Sequence, residues 1–542
     1  MKYINWIRSF LLYLSAVICS MTSYAQDSLR SSNLPLVLIS SPIIPIPDEP
    51  KINAHIAIID HPTKRNFVKD TPTFESDMLI ETRGSSSQSF FPQKSFSLKF
   101  IDSTGKDYNA SVMDMPEEHD WILYAPYNDK TCQRNVLSYM VSNEMGMYAS
   151  KTKYFELYIN GDYQGIYVWM EKIKRDKNRV DIAKLDSTDL SGDDLTGGYI
   201  FKIDKTTSAG GEGCLSNYPT SSSPHLVYQY EYPKFNDLLD AQKEYLCNYI
   251  DSFERSLISP LFRDTAQGYR RFVDVNSFFN YFILNEISRN VDGYRLSTFL
   301  YKDKNAKIYI GPPWDYNLAW WNADYCQGSW DNGWAYQFNS YCPTDPFPVP
   351  FWWDRFLSDT GFANSLNCRY SELRKSVLEE KKLFYWIDSI AHITDEARAR
   401  HFEKYPILGK YVWPNPSPLP QTFEQEIAAL KIFIVLRLRW LDNNMPGTCR
   451  ISNSLEGSKD EFRLITHPQP VKDICSVKTP AGHLDEIRVY SIDGKDQSVG
   501  YENDPTQESV FKLHVQKLNP GMYVLVGFID GRSFTAKLLK LE

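Results

Sequence analysis

The sequence predicts an α+β protein with a β-rich front lobe, a helical rear lobe and a small all-β module at its end. Three observations carry this. Short apolar or alternating runs fill the chain up to about residue 173; capped segments with apolar residues at three- and four-residue spacing appear from residue 274; beyond about 476 only strand patterns and turn dipeptides remain. The 542 residues are 42% hydrophobic and 23% charged, with a formal charge of −8. That is a globular composition and excludes a mostly disordered chain or a fibrous repeat. At roughly 150 residues per domain, the length holds about three or four domains, or one large domain with appendages. No basic excess points to nucleic acid. Aromatics at 14% suit a large mixed protein with broad clefts, and also suit carbohydrate contact.

The elements follow in order. Lys2 and Arg8, the apolar run Phe10 to Ile18 and the small-x-small site Ser23-Tyr24-Ala25 predict a signal peptide over residues 1–25. That run is too short to anchor in a bilayer, and no later segment reaches about 18 apolar residues without charge, so the mature chain is expected to lack a transmembrane span. Cys19 offers a lipoprotein signal as the alternative, although Ile18 stands where lipoprotein processing normally takes a small residue. Removing the leader leaves eight of the nine cysteines, an even number that an oxidising compartment would allow to pair. Cys326 and Cys342 bracket a loop-rich stretch and are the expected bridge; the alternative is two buried thiols.

Residues 34–82 read as strands, among them Leu36–Ile39 and Ala54–Ile59. Residues 94–100 alternate strictly, with Phe96, Leu98 and Phe100 on one side and Ser95, Ser97 and Lys99 on the other. Tyr154 to Ile173 forms a hairpin around Asn160-Gly161, a pair that tolerates positive φ at both central positions. Asp274 caps a helix running to about Asn290, and Thr422 with Gln425 forms a capping box before a helix ending at Asn443-Asn444.

Residues 446–475 are polar and read as a linker. Within 476–542, Ile487–Tyr490 precedes Asp493-Gly494, Phe511, Leu513 and Val515 alternate, and Tyr523–Phe528 turns at Asp530-Gly531 into Phe534–Leu541, as in a small β-sandwich. Ile487-Arg488-Val489-Tyr490-Ser491-Ile492-Asp493-Gly494, Leu518-Asn519-Pro520-Gly521-Met522-Tyr523-Val524-Leu525 and the closing Lys537-Leu538-Leu539-Lys540 resemble the C-terminal sorting domain of the type IX secretion system of Bacteroidetes. The resemblance implies passage through outer-membrane secretion machinery, then release or surface attachment.

Three clusters offer chemistry. Arg83-Gly84-Ser85-Ser86-Ser87 is a Gly–Ser loop with exposed backbone N–H groups, and Lys94 and Lys99 on the next strand add charge for phosphates. Asn285-Glu286 through Asn290-Val291-Asp292 follows the capped helix. Gly311-Pro312-Pro313-Trp314-Asp315-Tyr316-Asn317 follows the strand Phe299–Tyr301. Carboxylates in the last two loops could converge, one orienting a hydroxyl and the other holding Mg²⁺; on chemistry alone a helix cap and a turn Asp serve equally.

The series as a whole resembles the CotH family of spore-coat-protein-H-like atypical kinases, in the form seen in Bacteroides-type bacteria. The matching text is Arg83-Gly84-Ser85-Ser86 with Phe91-Pro92-Gln93-Lys94, Trp121-Ile122-Leu123, Asp129, Arg134-Asn135-Val136-Leu137, Tyr158 to Tyr167 with Glu171-Lys172-Ile173, Gly197 to Lys202, Asn285-Glu286, Asn290 to Tyr294, and Trp314-Asp315. It implies a divergent kinase-like, two-lobed domain over 34–445 that uses ATP and Mg²⁺. Arg83, Gly84, Ser85 and Ser86 would lie over the phosphates and Glu171 near the adenine; the family match points to Lys94 as the phosphate lysine, while strand phase leaves Lys94 or Lys99 open. Asp292 would accept the hydroxyl proton, and Asp315 would bind metal with Asn317 and Ser297.

Two departures stand out. Ser297 occupies the position where kinases place a metal-binding Asn, and Asn317 stands where many CotH proteins have Asp. Both are neutral oxygen donors, and losing a carboxylate weakens the hold on Mg²⁺. Two functions follow: an exported kinase acting on hydroxyls of secreted or surface proteins, or a weak or inactive kinase-like surface protein serving in binding or assembly. In the second, Trp320-Trp321, Trp330, Trp334 and Trp352-Trp353 would be exposed contact residues; their alternative is core packing. No G-x-S-x-G or H-E-x-x-H motif supports a hydrolase.

Overall fold

The computed structural model describes residues 31–206, 212–218, 226–449, 464–479, 484–491, 495–503, 510–529 and 532–541. The expected leader with Cys19, and the Asp493-Gly494 and Asp530-Gly531 turns, lie outside the described residues. The chain divides into two compact units: one of Met1–Tyr127, Lys151–Lys172 and Ser389–Ile407, the other of Asn128–Ser150, Ile173–Asp388 and Leu408–Glu542.

The first unit is built on a closed barrel of seven strands: β1 (Leu36–Ser40), β2 (Ile52–Ile59), β3 (Phe74–Arg83), β4 (Ser95–Ile101), β5 (Asp120–Tyr124), β6 (Thr152–Ile159) and β7 (Asp162–Glu171). Their order around the ring is β1-β2-β3-β4-β5-β7-β6, and a parallel β1–β6 pairing, Leu36 opposite Glu156, closes it. Every second residue points inward: Val37 and Ile39, Ile56 and Ile58, Met78 and Ile80, Phe96, Leu98 and Phe100, Trp121 and Leu123, Phe155 and Leu157, Tyr167 and Trp169 form one buried cluster. The Asn160-Gly161 turn joins β6 to β7 with φ of 49° and 85°, the left-handed pair a two-residue hairpin needs. In β7, Gly165 has φ 95°, and a Cβ there would lie 2.7 Å from His401 Nδ1. His401 belongs to the helix Asp395–Lys404, is buried, and accepts the Ile166 N–H at 3.2 Å. Burial holds its imidazole down to about 3, so it is neutral.

The second unit contains a five-stranded antiparallel sheet of β8 (Tyr199–Ile203), β9 (Gly213–Leu215), β10 (Val227–Tyr232), β11 (Thr298–Lys302) and β12 (Ile308–Ile310), in the order β9-β10-β8-β11-β12. Its helices include α2 (Arg134–Glu144), α3 (Asp240–Ile258), α4 (Val275–Ser288), α5 (Trp352–Ser358), α6 (Thr360–Arg374) and α7 (Phe423–Asn444), while the short α1 (Ser86–Phe90) belongs to the first unit. Asp274 caps α4 by accepting the Ser277 N–H at 2.8 Å. The helix stops at Ser288, short of Asn290, because Arg289 turns left-handed at φ 46°. Thr422 caps α7 through the Gln425 N–H at 3.3 Å, but the Gln425 side chain takes the Gln421 N–H rather than that of Thr422.

Disulfides join Cys214 to Cys247, Cys326 to Cys342 and Cys368 to Cys449; Cys132 and Cys475 are buried and belong to none of these bridges. Trp320, Trp352 and Trp353 are each 1% exposed, so they are core residues and not a contact surface. Trp330 is exposed.

The C-terminal strands are β13 (Ile465–His467), β14 (Ile474–Lys478), β15 (Leu484–Ser491), β16 (Asp496–Gln497), β17 (Gly500–Asn503), β18 (Val510–His514), β19 (Gly521–Ile529) and β20 (Arg532–Lys540). They form two four-stranded sheets, β13-β14-β18-β17 and β16-β15-β19-β20. Cys475, Val477 and Leu513 of one sheet share a buried cluster with Val489, Leu525 and Leu538 of the other. The stretch 446–475 is not wholly a linker: Leu464 and Val471 are buried in that cluster and β13 lies between them, so residues 464–475 belong to the sheets. This module packs on α7, where Val435 meets Val526 and Phe528 and Arg439 donates to Thr535 Oγ1 at 2.9 Å. No helix among the described residues is long and apolar enough to cross a membrane.

Candidate functional site

In the second unit, one face of α2 fixes the loop that carries Asp315. Asn135, Ser138 and Tyr139 fall at helical spacing and so share a side. Asn135 Oδ1 accepts the Tyr316 N–H at 2.5 Å, the Ser138 hydroxyl accepts Trp320 Nε1–H at 2.8 Å, and the Tyr139 hydroxyl accepts the Asp315 N–H at 3.4 Å. Arg134, fully buried, pairs with Asp129 at 2.5 Å and donates through Nε to the Trp320 carbonyl at 3.2 Å. Asp315, Trp320 and Trp321 all hold positive φ, at 63°, 53° and 65°. Strained backbone of this kind persists only where the surroundings over-determine it, and here these hydrogen bonds do so. The Asp315 carboxylate is on an exposed residue.

The Asp292 loop leaves the end of α4. Asn285, buried in the last turn of that helix, lies against both loops: its Oδ1 accepts the Tyr316 hydroxyl at 3.0 Å, and a Cβ on Gly293 would lie 2.4 Å from the same atom. The loops bearing Asp292 and Asp315 therefore flank one side chain. The Trp320 N–H also donates to the Ser288 carbonyl at 2.6 Å. Asp292 is partly buried, and its Oδ1 accepts two donors, Arg295 Nη2 at 2.8 Å and the Tyr325 hydroxyl at 3.1 Å. Burial, reinforced by the neighbouring Asp292, pushes the Tyr325 phenol far above its ordinary range, so it remains a donor. No protein donor meets Asp292 Oδ2 among the described residues.

Glu286, one position from Asn285, has a different task. It is fully buried and accepts from the Tyr294 hydroxyl at 3.0 Å, Tyr336 N–H at 3.0 Å, Ala335 N–H at 2.8 Å and Arg437 Nη2 at 2.9 Å. Its pairing with Arg437 ties α4 to α7.

Ser297, at φ 46°, ends the Asp292 loop just before β11. Asn317 Nδ2 donates to Asn128 Oδ1 at 3.2 Å, which turns its own Oδ1 away from that contact. Asn322 donates to the Asn317 carbonyl at 2.7 Å and to the Asn128 carbonyl at 3.1 Å, and Asn415 donates to Asn322 Oδ1 at 2.9 Å. Asp315, Asn317 and Ser297 each carry an oxygen donor of the kind Mg²⁺ takes, one carboxylate among them.

A family model described as CotH kinase protein matches residues 80–441. The chain belongs to the CotH kinase family. No curated protein matches it. The CotH match begins inside β3 and ends within α7, so β1, β2 and the C-terminal sheets lie outside it. Every residue considered above as a ligand or proton acceptor lies inside.

The remaining expected residues of the CotH span sit in the first unit. Arg83 ends β3, Gly84 follows at φ 111°, and Ser85 leads into α1, where Ser86 is the first residue. The φ of Gly84 is left-handed backbone that favours glycine, and a Cβ there would also lie 2.3 Å from Ser87 Oγ. Lys94 Nζ donates to the Gln88 and Phe91 carbonyls at 2.5 and 2.6 Å, closing the C-terminal end of α1. Lys99 is instead paired with Asp107 at 2.7 Å. Lys94 thus meets carbonyls of the segment that follows the Gly–Ser loop, whereas Lys99 meets Asp107. Glu171 is buried at the end of β7 and accepts the Lys151 N–H at 2.9 Å.

Sequence reasoning missed Tyr325, Arg295, Asn128 and Asn322. Arg295 had a signal, its three-residue spacing from Asp292; the others are isolated polar residues in loops.

Proposed function

We propose that the protein is an exported, ATP- and Mg²⁺-dependent kinase that transfers the γ-phosphoryl of ATP to a hydroxyl of a secreted or surface protein. The arrangement of Asp292 supports this best. One carboxylate oxygen is fixed by Arg295 and Tyr325, which leaves the other to accept the acceptor's proton as its oxygen bonds to the γ-phosphorus and the bond to ADP breaks. Asp315, Asn317 and Ser297 would hold Mg²⁺. Bound there, the ion supplies charge neutralisation at the triphosphate. Gly84, Ser85 and Ser86 offer backbone N–H groups to the phosphates, with Arg83 and Lys94 as cations and Glu171 toward the adenine. Lys99 is left to Asp107. The three disulfides and the C-terminal sheets support export through outer-membrane secretion machinery of the type IX kind, in a Bacteroides-type cell.

Two measurements test the reading. Mg²⁺ with ATP should raise the melting temperature, since a ligand of the native state alone must stabilise it. Label from γ-labelled ATP should be transferred, and Asp292→Asn should lower that transfer by about 10²- to 10⁴-fold. Equal labelling by wild type and variant overturns the role of Asp292. Absence of any Mg²⁺-dependent thermal shift favours the surface-binding protein.

A further inference from the structure

The Cys326–Cys342 bridge closes a segment whose flanks supply the contacts that hold Asp292. Tyr325, immediately before Cys326, donates its hydroxyl to Asp292 Oδ1 at 3.1 Å. Asp345, three residues past Cys342, accepts Arg295 Nη1 at 3.1 Å, and its N–H donates to the Cys342 carbonyl at 3.2 Å. Between the cysteines, the Phe338 ring lies 3.8 Å under the Arg295 guanidinium, and Gln327 takes Arg289 Nε at 3.1 Å. Arg295 is 3% exposed, so its direction is set by these neighbours and by the Val291 carbonyl at 3.1 Å. Its Nη2 is then the second donor to Asp292 Oδ1.

We propose that Tyr325 and Arg295 are positioning residues for Asp292, and that the Cys326–Cys342 disulfide is the redox element that assembles them. The inference rests on the kinase reading above. Closing the bridge removes two electrons and two protons from the thiols and delivers them to a disulfide oxidant; a dithiol reverses the exchange. With the bridge open, Tyr325 is no longer tied to the chain carrying Phe338 and Asp345, and the carboxylate loses its orientation. The chain would acquire its activity only where thiols are oxidised.

The experiment compares full-length wild type, Tyr325→Phe, the Cys326→Ser/Cys342→Ser double variant, and Cys214→Ser/Cys247→Ser as the control bridge. Hydrogen exchange of amides 290–297 should quicken about tenfold or more when Cys326–Cys342 is removed and stay unchanged when Cys214–Cys247 is removed. Faster exchange confined to 326–342 overturns the coupling, whether or not the protein transfers phosphate. In the labelling assay, Tyr325→Phe should lower kcat about 10- to 100-fold, the worth of one hydrogen bond to a charged group, with KM for ATP held within about twofold. A kcat equal to wild type in Tyr325→Phe overturns its positioning role, whereas a wild type that transfers nothing counts against the kinase reading and leaves the exchange result to decide the coupling.

Discussion

Replacing Arg437 by Met removes the cation from a fully buried ion pair. The Glu286 carboxylate would keep the Tyr294 hydroxyl and the Ala335 and Tyr336 N–H groups but lose its counter-charge. Arg437 also donates to the Glu286 carbonyl at 2.5 Å and the Gly333 carbonyl at 2.7 Å, so a buried and a partly buried acceptor lose a donor. Burial already holds the Arg437 guanidinium down to about 10, a sign of how dry the site is. Breaking a buried pair from one side costs about 3–5 kcal/mol, with the orphaned carbonyls pushing toward the upper end. The Glu286→Gln/Arg437→Met double variant removes the unpaired anion and should recover about 1–2 kcal/mol relative to the single Arg437→Met. Trp440 lies 4.8 Å from the guanidinium and packs on Trp334, so tryptophan fluorescence during urea unfolding reports on the right place. A single variant within about 1 kcal/mol of wild type, or a cycle with no coupling, would refute the account of Glu286 as a structural anion.

Three further outcomes are expected. His401 is neutral in the fold with its pKa held to about 3, so the unfolded chain binds the extra proton first as pH falls below about 6.5. Its contribution is intact above that value and is lost on acidification at about 1.4 kcal/mol per pH unit; His401→Gln should flatten that slope in urea titrations across pH. Gly165→Ala meets both a positive φ and His401 Nδ1 at 2.7 Å, whereas Gly161→Ala meets only the positive φ, with no atom within 4 Å. Thermal unfolding should show Gly165→Ala to be the worse by about 1–3 kcal/mol. Asn317→Asp loses its donation to Asn128 and costs about 1 kcal/mol without nucleotide, yet should lower the Mg²⁺ needed for ATP-dependent thermal stabilisation about tenfold; an unchanged Mg²⁺ requirement removes Asn317 from the ligand set.

Local chemistry was readable in the sequence wherever neighbours along the chain decide the outcome. The alternation of Phe96, Leu98 and Phe100 marked a strand, Asn160-Gly161 marked a hairpin, and Asp274 and Thr422 marked the starts of α4 and α7. Ring closure was not readable, because the β1–β6 pairing joins strands far apart in sequence. The choice between Lys94 and Lys99 was open for the same kind of reason: strand phase shows which side a lysine faces, not that Lys94 caps α1 while Lys99 meets Asp107. Leu464 and Val471 looked like isolated apolar residues in a polar stretch, and a three-residue strand has no periodicity to detect. At the site, Asp292 and Asp315 were marked by motifs, but the contacts of Tyr325, Asn285 and Asn128 come from tertiary proximity alone.

The β1–β6 seam gives synthesis a fixed order of events. A chain emerging from the ribosome has finished β1 long before Glu156 exists, so the edge that will receive β6 waits unpaired while β2 to β5 are made. Until β6 is made, that edge is open to pairing with strands other than its own partner.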